Sequence, residues 1–284
     1  MVSGYSVKKV LKEATILLRG AGVASPRVDA EVLLGFVLAC DRLVLYREPL
    51  RELSDEEIVR YRELLCRRAA GVPVAYLTGE KEFMGLNFAV TPAVLIPRPE
   101  TELLVETAVD LLKGLEAPVV AEVGTGSGAI AVSLAVFLPA ARVFAVDLSP
   151  AVLKVAQENA RRHGVADRVS FYQGDLLGPF GNSARLFDLV AANLPYVRTA
   201  DMAHLPREVQ YEPVVALDGG PDGLGPYRRL LPQARRLLKT GAYLLMEIGP
   251  GQCREVLDMF EQWQTLVKAD LAGQERLVVA HAGG

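Results

Sequence analysis

The feature that most constrains the fold is an alternation of apolar and helix-forming segments that begins at Pro118. The segments predicted as strands are PVVAEV, RVFAVDL, RVSFYQGDL, LFDLVAAN, AYLLMEIG and QERLVVAHA. The helical segments between them are AIAVSLAVFL, AVLKVAQENARRHG, YRRLLPQARRLLKTG and QCREVLDMFEQW. Apolar strands that alternate with helices are typical of a parallel sheet covered on both faces. The sequence therefore predicts an α/β domain.

The first part of the chain follows a helical pattern instead. Ser6 is placed to cap a helix whose apolar residues recur at helical spacing. Residues 29–39 form a second apolar helical segment, and Ser54 with Glu57 makes a capping box for a third. A small helical bundle is therefore predicted as a separate domain over residues 1–75.

A linker is predicted at residues 76–98, where FMGLNFAV alternates apolar and polar positions as a short hairpin does. Pro99 suits the first turn of a helix that runs to about Leu112. The α/β domain is then expected to occupy residues 99–284.

Composition removes several classes of protein. Cys40, Cys66 and Cys253 are far apart and only three histidines accompany them, so neither a disulfide framework nor a His/Cys metal site is expected. The longest apolar run, residues 129–138, is too short to span a membrane, and the N-terminal lysines argue against a signal peptide. A net charge of −3 lacks the basic excess of duplex-binding proteins. We expect a cytoplasmic protein without metal, membrane contact or stable nucleic-acid binding.

A glycine-rich turn follows the first strand of the α/β region. Its residues are Glu122, Gly124, Thr125, Gly126, Ser127 and Gly128. Glycines between a strand and a helix let the backbone approach a ligand and leave helix N-terminal N–H groups free. The spacing also fits the dinucleotide fingerprint, so the turn alone does not separate NAD from S-adenosylmethionine, and a tight turn without a ligand is the structural alternative.

Acidic residues end the next two predicted strands. Asp147 is placed to accept hydrogen bonds from ribose hydroxyls, and its alternative role is to cap the next helix, a role that Ser149 could also fill. Asp175 could accept from an exocyclic adenine amine beside Leu176, and its alternative is a turn after Gly174.

The fourth predicted strand ends in Asn193, Leu194, Pro195 and Tyr196. The Asn193 side-chain oxygen and the Leu194 carbonyl can accept both hydrogens of an NH2 group, while Tyr196 packs on its flat face. Pro195 keeps the preceding residue extended, which aims that carbonyl. A simple Asn-x-Pro turn is the alternative.

These blocks together resemble the class I S-adenosylmethionine-dependent methyltransferases, and within them the release factor glutamine methyltransferases (PrmC/HemK). SPRVDAEVLL, LIPRPETELLVE, EVGTGSGAIAVSLA, NLPY and YEPVVALDGGPDGL all look like family blocks, so the resemblance covers nearly the whole chain. It implies a Rossmann-like seven-stranded sheet with an antiparallel last strand and an N-terminal helical domain. We expect that domain to dock the protein substrate; a purely stabilising role is its alternative.

The resemblance also implies the reaction. The cofactor is S-adenosylmethionine, and the substrate is the glutamine of the Gly-Gly-Gln segment in peptide chain release factors, methylated on its side-chain nitrogen. The glycines of the turn would then hold the methionine part, Asp147 the ribose, and Asp175 with Leu176 the adenine. Glu122 either orients the amino-acid end of the cofactor or is structural. The family usually has Asn-Pro-Pro-Tyr, so Leu194 is a departure that leaves its carbonyl in place.

Catalysis by positioning is the expected mechanism, because no basic side chain stands out near the predicted site. Three rivals remain open at this point. An adenine-N6 methyltransferase uses the same kind of tetrapeptide, a nicotinamide-dependent oxidoreductase leaves that tetrapeptide unexplained, and a non-catalytic binding protein would hold the cofactor without turnover.

Overall fold

The fold follows from a computed structural model, which describes residues 4–181, 183, 185–260 and 263–283. Its helices are α1 (Val7–Gly20), α2 (Pro26–Leu38), α3 (Arg42–Arg47), α4 (Asp55–Ala69), α5 (Val74–Thr78), α6 (Glu102–Leu112), α7 (Ala129–Phe137), α8 (Pro150–Arg162), α9 (Gly225–Leu237) and α10 (Cys253–Leu257). Its strands are β1 (Glu80–Phe83), β2 (Leu86–Ala89), β3 (Val119–Val123), β4 (Arg142–Asp147), β5 (Val169–Gln173), β6 (Phe187–Ala192), β7 (Leu238–Glu247), β8 (Gln264–Ala269) and β9 (Glu275–His281).

Seven strands form one sheet in the order β5-β4-β3-β6-β7-β9-β8. The strands from β5 to β7 pair in parallel, whereas β9 pairs antiparallel with both β7 and β8. The predicted seven-stranded α/β sheet with an antiparallel last strand is therefore confirmed. Strands β3 and β6 are parallel neighbours near the centre of this order, so their carboxyl ends lie side by side.

Neighbouring residues of one strand are buried on opposite faces of the sheet. Val120 and Leu189 belong to a core that includes α6 and α7, while Ala121 and Val190 belong to a second core that includes α9 and α10. A strand buried on both sides has no polar face, which explains why these segments are apolar throughout.

Three segments of this unit differ from the prediction. The helix predicted over residues 252–263 is limited to α10, and residues 261 and 262 lie outside the described part of the chain. Strand β8 was not predicted, because it lies at the sheet edge and none of its side chains is fully buried. The helix predicted over 227–241 ends at Leu237, where β7 begins.

The chain divides into two compact units. One runs to Glu80 and includes Pro206–Tyr211; the other comprises Lys81–Leu205 and the residues from Glu212 onward. Within the first unit, the buried Arg68 guanidinium pairs with Asp29 and Glu208, at 2.7 Å each. The short segment Pro206–Tyr211 is thus held by an ion pair to α4.

The helices of the first unit match the predicted ones at α1, α2 and α4, and the structure adds the short α3 and α5. The capping box of Ser54 and Glu57 is present at the start of α4. Ser6 occupies the N-cap position of α1, but its hydroxyl makes no capping hydrogen bond. No helix in the described part of the chain has the length and apolarity needed to cross a membrane.

Candidate active site

A cavity of about 370 Å³ opens at the carboxyl ends of β3, β4 and β6. Its size lies within the range of about 300–1,000 Å³ typical of small-molecule sites. The predicted site residues that line it are Gly124, Gly126, Asp147, Asp175, Leu176, Asn193, Leu194 and Pro195. The other predicted site residues, Glu122, Thr125, Ser127, Gly128 and Tyr196, lie outside its lining.

The glycine-rich turn is shaped by left-handed backbone at Gly124, with φ 74°, and at Gly128, with φ 81°. A Cβ atom at Gly128 would lie 3.1 Å from the Cβ of Ala156 in α8. This glycine therefore lets two elements pack closely and does not face the cavity. A Cβ at Gly126 would meet no protein atom within 4 Å, so that part of the turn is open.

Glu122 lies beneath the turn and is almost fully buried. Its Oε2 accepts hydrogen bonds from the Thr125 hydroxyl at 2.5 Å and from the Ala131 N–H at 3.1 Å. Its Oε1 has no hydrogen-bond partner among the described residues. Burial raises the pKa of this carboxyl to about 8, against the opposing effect of the two hydrogen bonds. Glu122 thus contacts the turn and not the cavity.

Asp147 joins the turn to the end of β4. Its Oδ2 accepts from the Gly126 N–H at 3.1 Å, and its Oδ1 accepts from the Ser149 N–H at 3.1 Å. Ser149, and not Asp147, caps α8 by accepting from the Val152 N–H. Burial raises the pKa of the Asp147 carboxyl above its ordinary value. A carboxylate in the cavity wall is thereby held at a fixed distance from the turn.

Asp175 forms an exposed ion pair with Arg229 of α9, with 2.6 Å between Oδ2 and the guanidinium. Both residues line the cavity, so Arg229 competes with any ligand amine for this carboxylate. Leu176 is buried and adopts a left-handed φ of 52°. Its side chain forms an apolar part of the cavity wall.

Asn193 projects into the cavity from the end of β6. Its Nδ2 donates to the Thr101 hydroxyl at 3.0 Å. Because the amide nitrogen is engaged there, the Oδ1 remains as the acceptor that the side chain can offer to another group. The Leu194 carbonyl, next along the chain, accepts from the Tyr227 hydroxyl at 3.3 Å.

The Tyr227 hydroxyl, which has one proton, also hydrogen-bonds the backbone carbonyl of Glu247. Because a carbonyl oxygen has two lone pairs, the Leu194 carbonyl can still accept from a second donor. The Leu194 side chain is buried, and a Cβ at Gly124 would lie 3.2 Å from its Cδ2. The leucine thus fills space between the tetrapeptide and the turn.

Tyr196 packs behind the cavity wall, where its carbonyl accepts from the Gln252 side-chain amide at 2.9 Å. Burial and, to a smaller extent, the nearby Glu247 raise the pKa of its hydroxyl to about 12. Tyr196 therefore stays protonated at neutral pH, and it cannot serve as a base there.

Several residues near the site were given no role in it from the sequence. Thr101 lies within the LIPRPETELLVE block, and Glu247 ends β7 as Asp147 ends β4, so a strand-end signal was present for it. Arg98 pairs with the buried Glu212, which also accepts from the Ile96 N–H at 3.0 Å. No group of three or more His, Cys, Asp or Glu residues in the described ranges could hold a metal ion.

Comparison with known protein families gives two matches. A family described as "PrmC N-terminal domain" matches residues 9–79, and one described as "Methyltransferase domain" matches residues 116–282.

Curated relatives match over almost the whole chain. A protein of Moorella thermoacetica named release factor glutamine methyltransferase is 47% identical over 97% of this chain and 98% of its own length. One of the same name from Geobacter sulfurreducens is 44% identical over 91% of this chain and 89% of its own. Among solved structures, a ribosomal protein L11 methylase from Lactobacillus delbrueckii subsp. bulgaricus has a TM-score of 0.51 at 19% identity, covering 69% of this chain and 84% of that one. This last likeness concerns the fold alone.

Proposed function

The chain belongs to the release factor glutamine methyltransferases, and we propose that its cavity carries their reaction on the chain's own residues. The reaction transfers a methyl group from S-adenosylmethionine to the side-chain amide nitrogen of the glutamine in the Gly-Gly-Gln segment of peptide chain release factors. The observation that carries the assignment to this cavity is the hydrogen bond from Asn193 to Thr101, which leaves the Asn193 Oδ1 as an acceptor.

The cavity residues fit the cofactor. S-adenosylmethionine supplies a methyl group activated by its attachment to a positively charged sulfur. Gly124 and Gly126 would hold its methionine part, since both have left-handed backbone and no protein atom lies within 4 Å of where a Cβ of Gly126 would be. The Asp147 carboxylate would accept from the ribose hydroxyls, and Leu176 would cover the adenine ring.

Asn193 and Leu194 would orient the substrate amide. The Asn193 Oδ1 and the Leu194 carbonyl each accept one N–H of the glutamine side chain, which turns the nitrogen toward the cofactor. Positive charge develops on that nitrogen during transfer, so both acceptors bind it more strongly in the transition state than in the ground state. The protonated Tyr196 would add packing and no proton transfer.

The remaining assignments rest on this substrate. We propose that residues 1–75 dock the release factor, that residues 76–98 connect, and that residues 99–284 carry the chemistry. A substrate used in translation termination places the enzyme in the cytoplasm. We propose neither membrane binding nor stable binding to nucleic acid. The net charge of −3 supports the second point, because it lacks the basic excess that binds phosphates.

The experiment is transfer of labelled methyl groups from S-adenosylmethionine to a purified release factor. The control substrate is the same factor with Gln→Ala in its Gly-Gly-Gln segment, and adenine-containing duplex DNA tests the rival activity. Label on the unmodified factor alone supports the proposal, and Asn193→Ala should lower kcat by about 100-fold without preventing cofactor binding. Label on the DNA instead, or an unchanged kcat in Asn193→Ala, would contradict it.

A further inference from the structure

Residues 212–220, here called the strap, form one stretch of the cavity wall. The strap residues in the cavity lining are Pro213, Val215, Ala216 and Asp218. Val215 is 65% exposed and its neighbour Val214 is 62% exposed, so the strap reaches the surface where the cavity opens to solvent. Residues 93–95 form a second stretch of wall in the same unit. A protein segment that enters the cavity from solvent therefore passes beside the strap.

The C-terminal part of the strap is fixed to the residues of the tetrapeptide and to the residue after it. The Val197 N–H donates to the Leu217 carbonyl at 2.9 Å, and the Gly219 N–H donates to the Val197 carbonyl at 2.8 Å. A Cβ at Gly219 would lie 2.6 Å from the Pro195 carbonyl oxygen, so a residue without a side chain is needed for this close approach. At this end the backbone alone holds the strap in place.

Glu212 fixes the other end of the strap. Its side chain is 1% exposed. Its Oε2 accepts from the Ile96 N–H at 3.0 Å, and its Oε1 pairs with the Arg98 guanidinium. Ile96 and Arg98 each precede a proline, which disfavours helical backbone at both and keeps this segment extended. One buried carboxylate thus ties the strap to the segment that continues from residues 93–95.

That segment leads to the group that orients the substrate amide. The 3-10 turn Pro99–Thr101 follows Arg98, and the Thr101 hydroxyl accepts from the Asn193 Nδ2 at 3.0 Å. The strap approaches the same tetrapeptide at Pro195. The Glu212 carboxylate therefore joins two segments that both contact the tetrapeptide, one at each side. The Asp147 carboxylate, in contrast, accepts from backbone N–H groups outside the strap.

On this geometry we infer that Glu212 is a positioning residue for the protein substrate, which holds the strap so that the glutamine reaches Asn193 between two fixed stretches of wall. The inference deepens the proposed function and rests on it. A strap released at one end has to be ordered each time the substrate binds, and this ordering lowers the affinity. Once the substrate is bound, Asn193 and Leu194 keep their places. Loss of the Glu212 contacts should therefore change KM for the release factor more than kcat.

The test measures kcat and KM for a release factor, and the dissociation constant of S-adenosylmethionine. Glu212→Ala should raise KM about tenfold and change kcat less than about threefold. Glu212→Gln and Arg98→Gln each keep an acceptor for the Ile96 N–H, so each should raise KM only about two- to fivefold. The double variant of Arg98→Gln with Glu212→Ala should match Glu212→Ala alone, because both changes break one link. The dissociation constant of the cofactor should change less than about threefold in all of them.

A matched control lies just beyond the strap. The Asp222 carboxylate accepts from the Leu224 N–H at 3.1 Å and pairs with Arg228 at the surface. Asp222→Ala also removes a carboxylate that holds backbone, but one that makes no contact with the segment of residues 93–98. It should leave KM within about twofold of wild type. A rise in KM equal to that of Glu212→Ala would contradict the specific role of Glu212.

A second readout does not depend on turnover. The Ile96 amide, and the Ala216 amide, which is hydrogen-bonded within the strap, should exchange hydrogen about tenfold faster in Glu212→Ala, with no change across β6 and β7. Exchange as slow as in wild type would overturn the inference, and so would a lower kcat with an unchanged KM. If Glu212→Ala does not fold, Arg98→Gln, whose arginine is 31% exposed, decides by its KM and by its exchange at Ala216. Absence of methyl transfer by wild type, with the exchange difference present, would instead overturn the proposed function and leave the anchoring of the strap supported.

Discussion

The Thr125 hydroxyl donates a 2.5 Å hydrogen bond to the Glu122 Oε2 across the turn that follows β3. The same oxygen accepts from the Ala131 N–H in the first turn of α7. One buried carboxyl therefore ties the end of a central strand, the glycine-rich turn and the start of a helix together. The glycine-rich turn, which lines the cavity at Gly124 and Gly126, is thus held by the Glu122 carboxyl, which is not part of the cavity lining.

Replacing Glu122 with Gln should change how stability depends on pH. In the unfolded chain the pKa of this carboxyl is about 4.3, whereas burial raises the pKa in the folded protein to about 8. Glu122 therefore contributes stability that is complete at low pH and is lost as the pH rises through this window. Relative to Glu122→Gln, the wild-type free energy of unfolding should fall by about 1.4 kcal/mol per pH unit between about pH 5 and 8.

Urea unfolding of both proteins at several pH values measures this difference. Other titrating groups cancel, because they are present in both chains. A difference that stays constant from pH 5 to pH 8 would mean that Glu122 is ionised throughout.

Gly128 should tolerate alanine less well than Gly164 does. Both have a left-handed φ, of 81° and 68°, so each Cβ costs about 1 kcal/mol in backbone strain. Only the Cβ at position 128 would also press on Ala156, at 3.1 Å, whereas nothing lies within 4 Å at position 164. Gly128→Ala should therefore lose about 1–2 kcal/mol more in free energy of unfolding. Equal losses in denaturant titrations would show that α8 moves away without cost.

Much of the cavity was predictable because parallel strands end at one edge of the sheet. Gly124, Asp175 and Asn193 follow three strands and Asp147 ends a fourth, and all four residues line the same cavity. Strand β8 was not predicted because it lies at the edge of the sheet. An edge strand with few buried side chains lacks the apolar run of a central strand.

The contacts around Asn193 could not be predicted in the same way. Thr101 precedes Asn193 by 92 residues, and their hydrogen bond depends on how α6 packs against the sheet. Periodicity describes one segment at a time, so it does not report which polar side chains of distant segments meet. The same limit applies to Arg68 and Glu208, which are 140 residues apart.

Arg68→Met should loosen the segment Pro206–Tyr211. Arg68 is buried and pairs with Asp29 and Glu208, so its loss leaves the largely buried Asp29 carboxylate without this partner. We expect a loss of about 2–4 kcal/mol in the first unit, with faster amide hydrogen exchange across 206–211. The control is Arg67→Met, an exposed position on the same helix, where the change should stay within about 0.5 kcal/mol. Equal exchange rates in the two variants would contradict the anchoring role of the ion pair.

Leu194→Pro, which restores the usual family tetrapeptide, should separate the two roles of this residue. Its side chain is 4% exposed and packs in the core shared with α9, so its loss should lower the free energy of unfolding by about 1–3 kcal/mol. The N–H of Leu194 donates no hydrogen bond within the described residues, so proline removes none. The ring fixes φ and keeps the carbonyl aimed, whereas Leu194→Ala removes similar packing without that restriction. The kcat for release factor should therefore be higher in the proline variant than in the alanine variant, at matched cofactor saturation. Equal kcat values would show that Pro195 alone sets the direction of the Leu194 carbonyl.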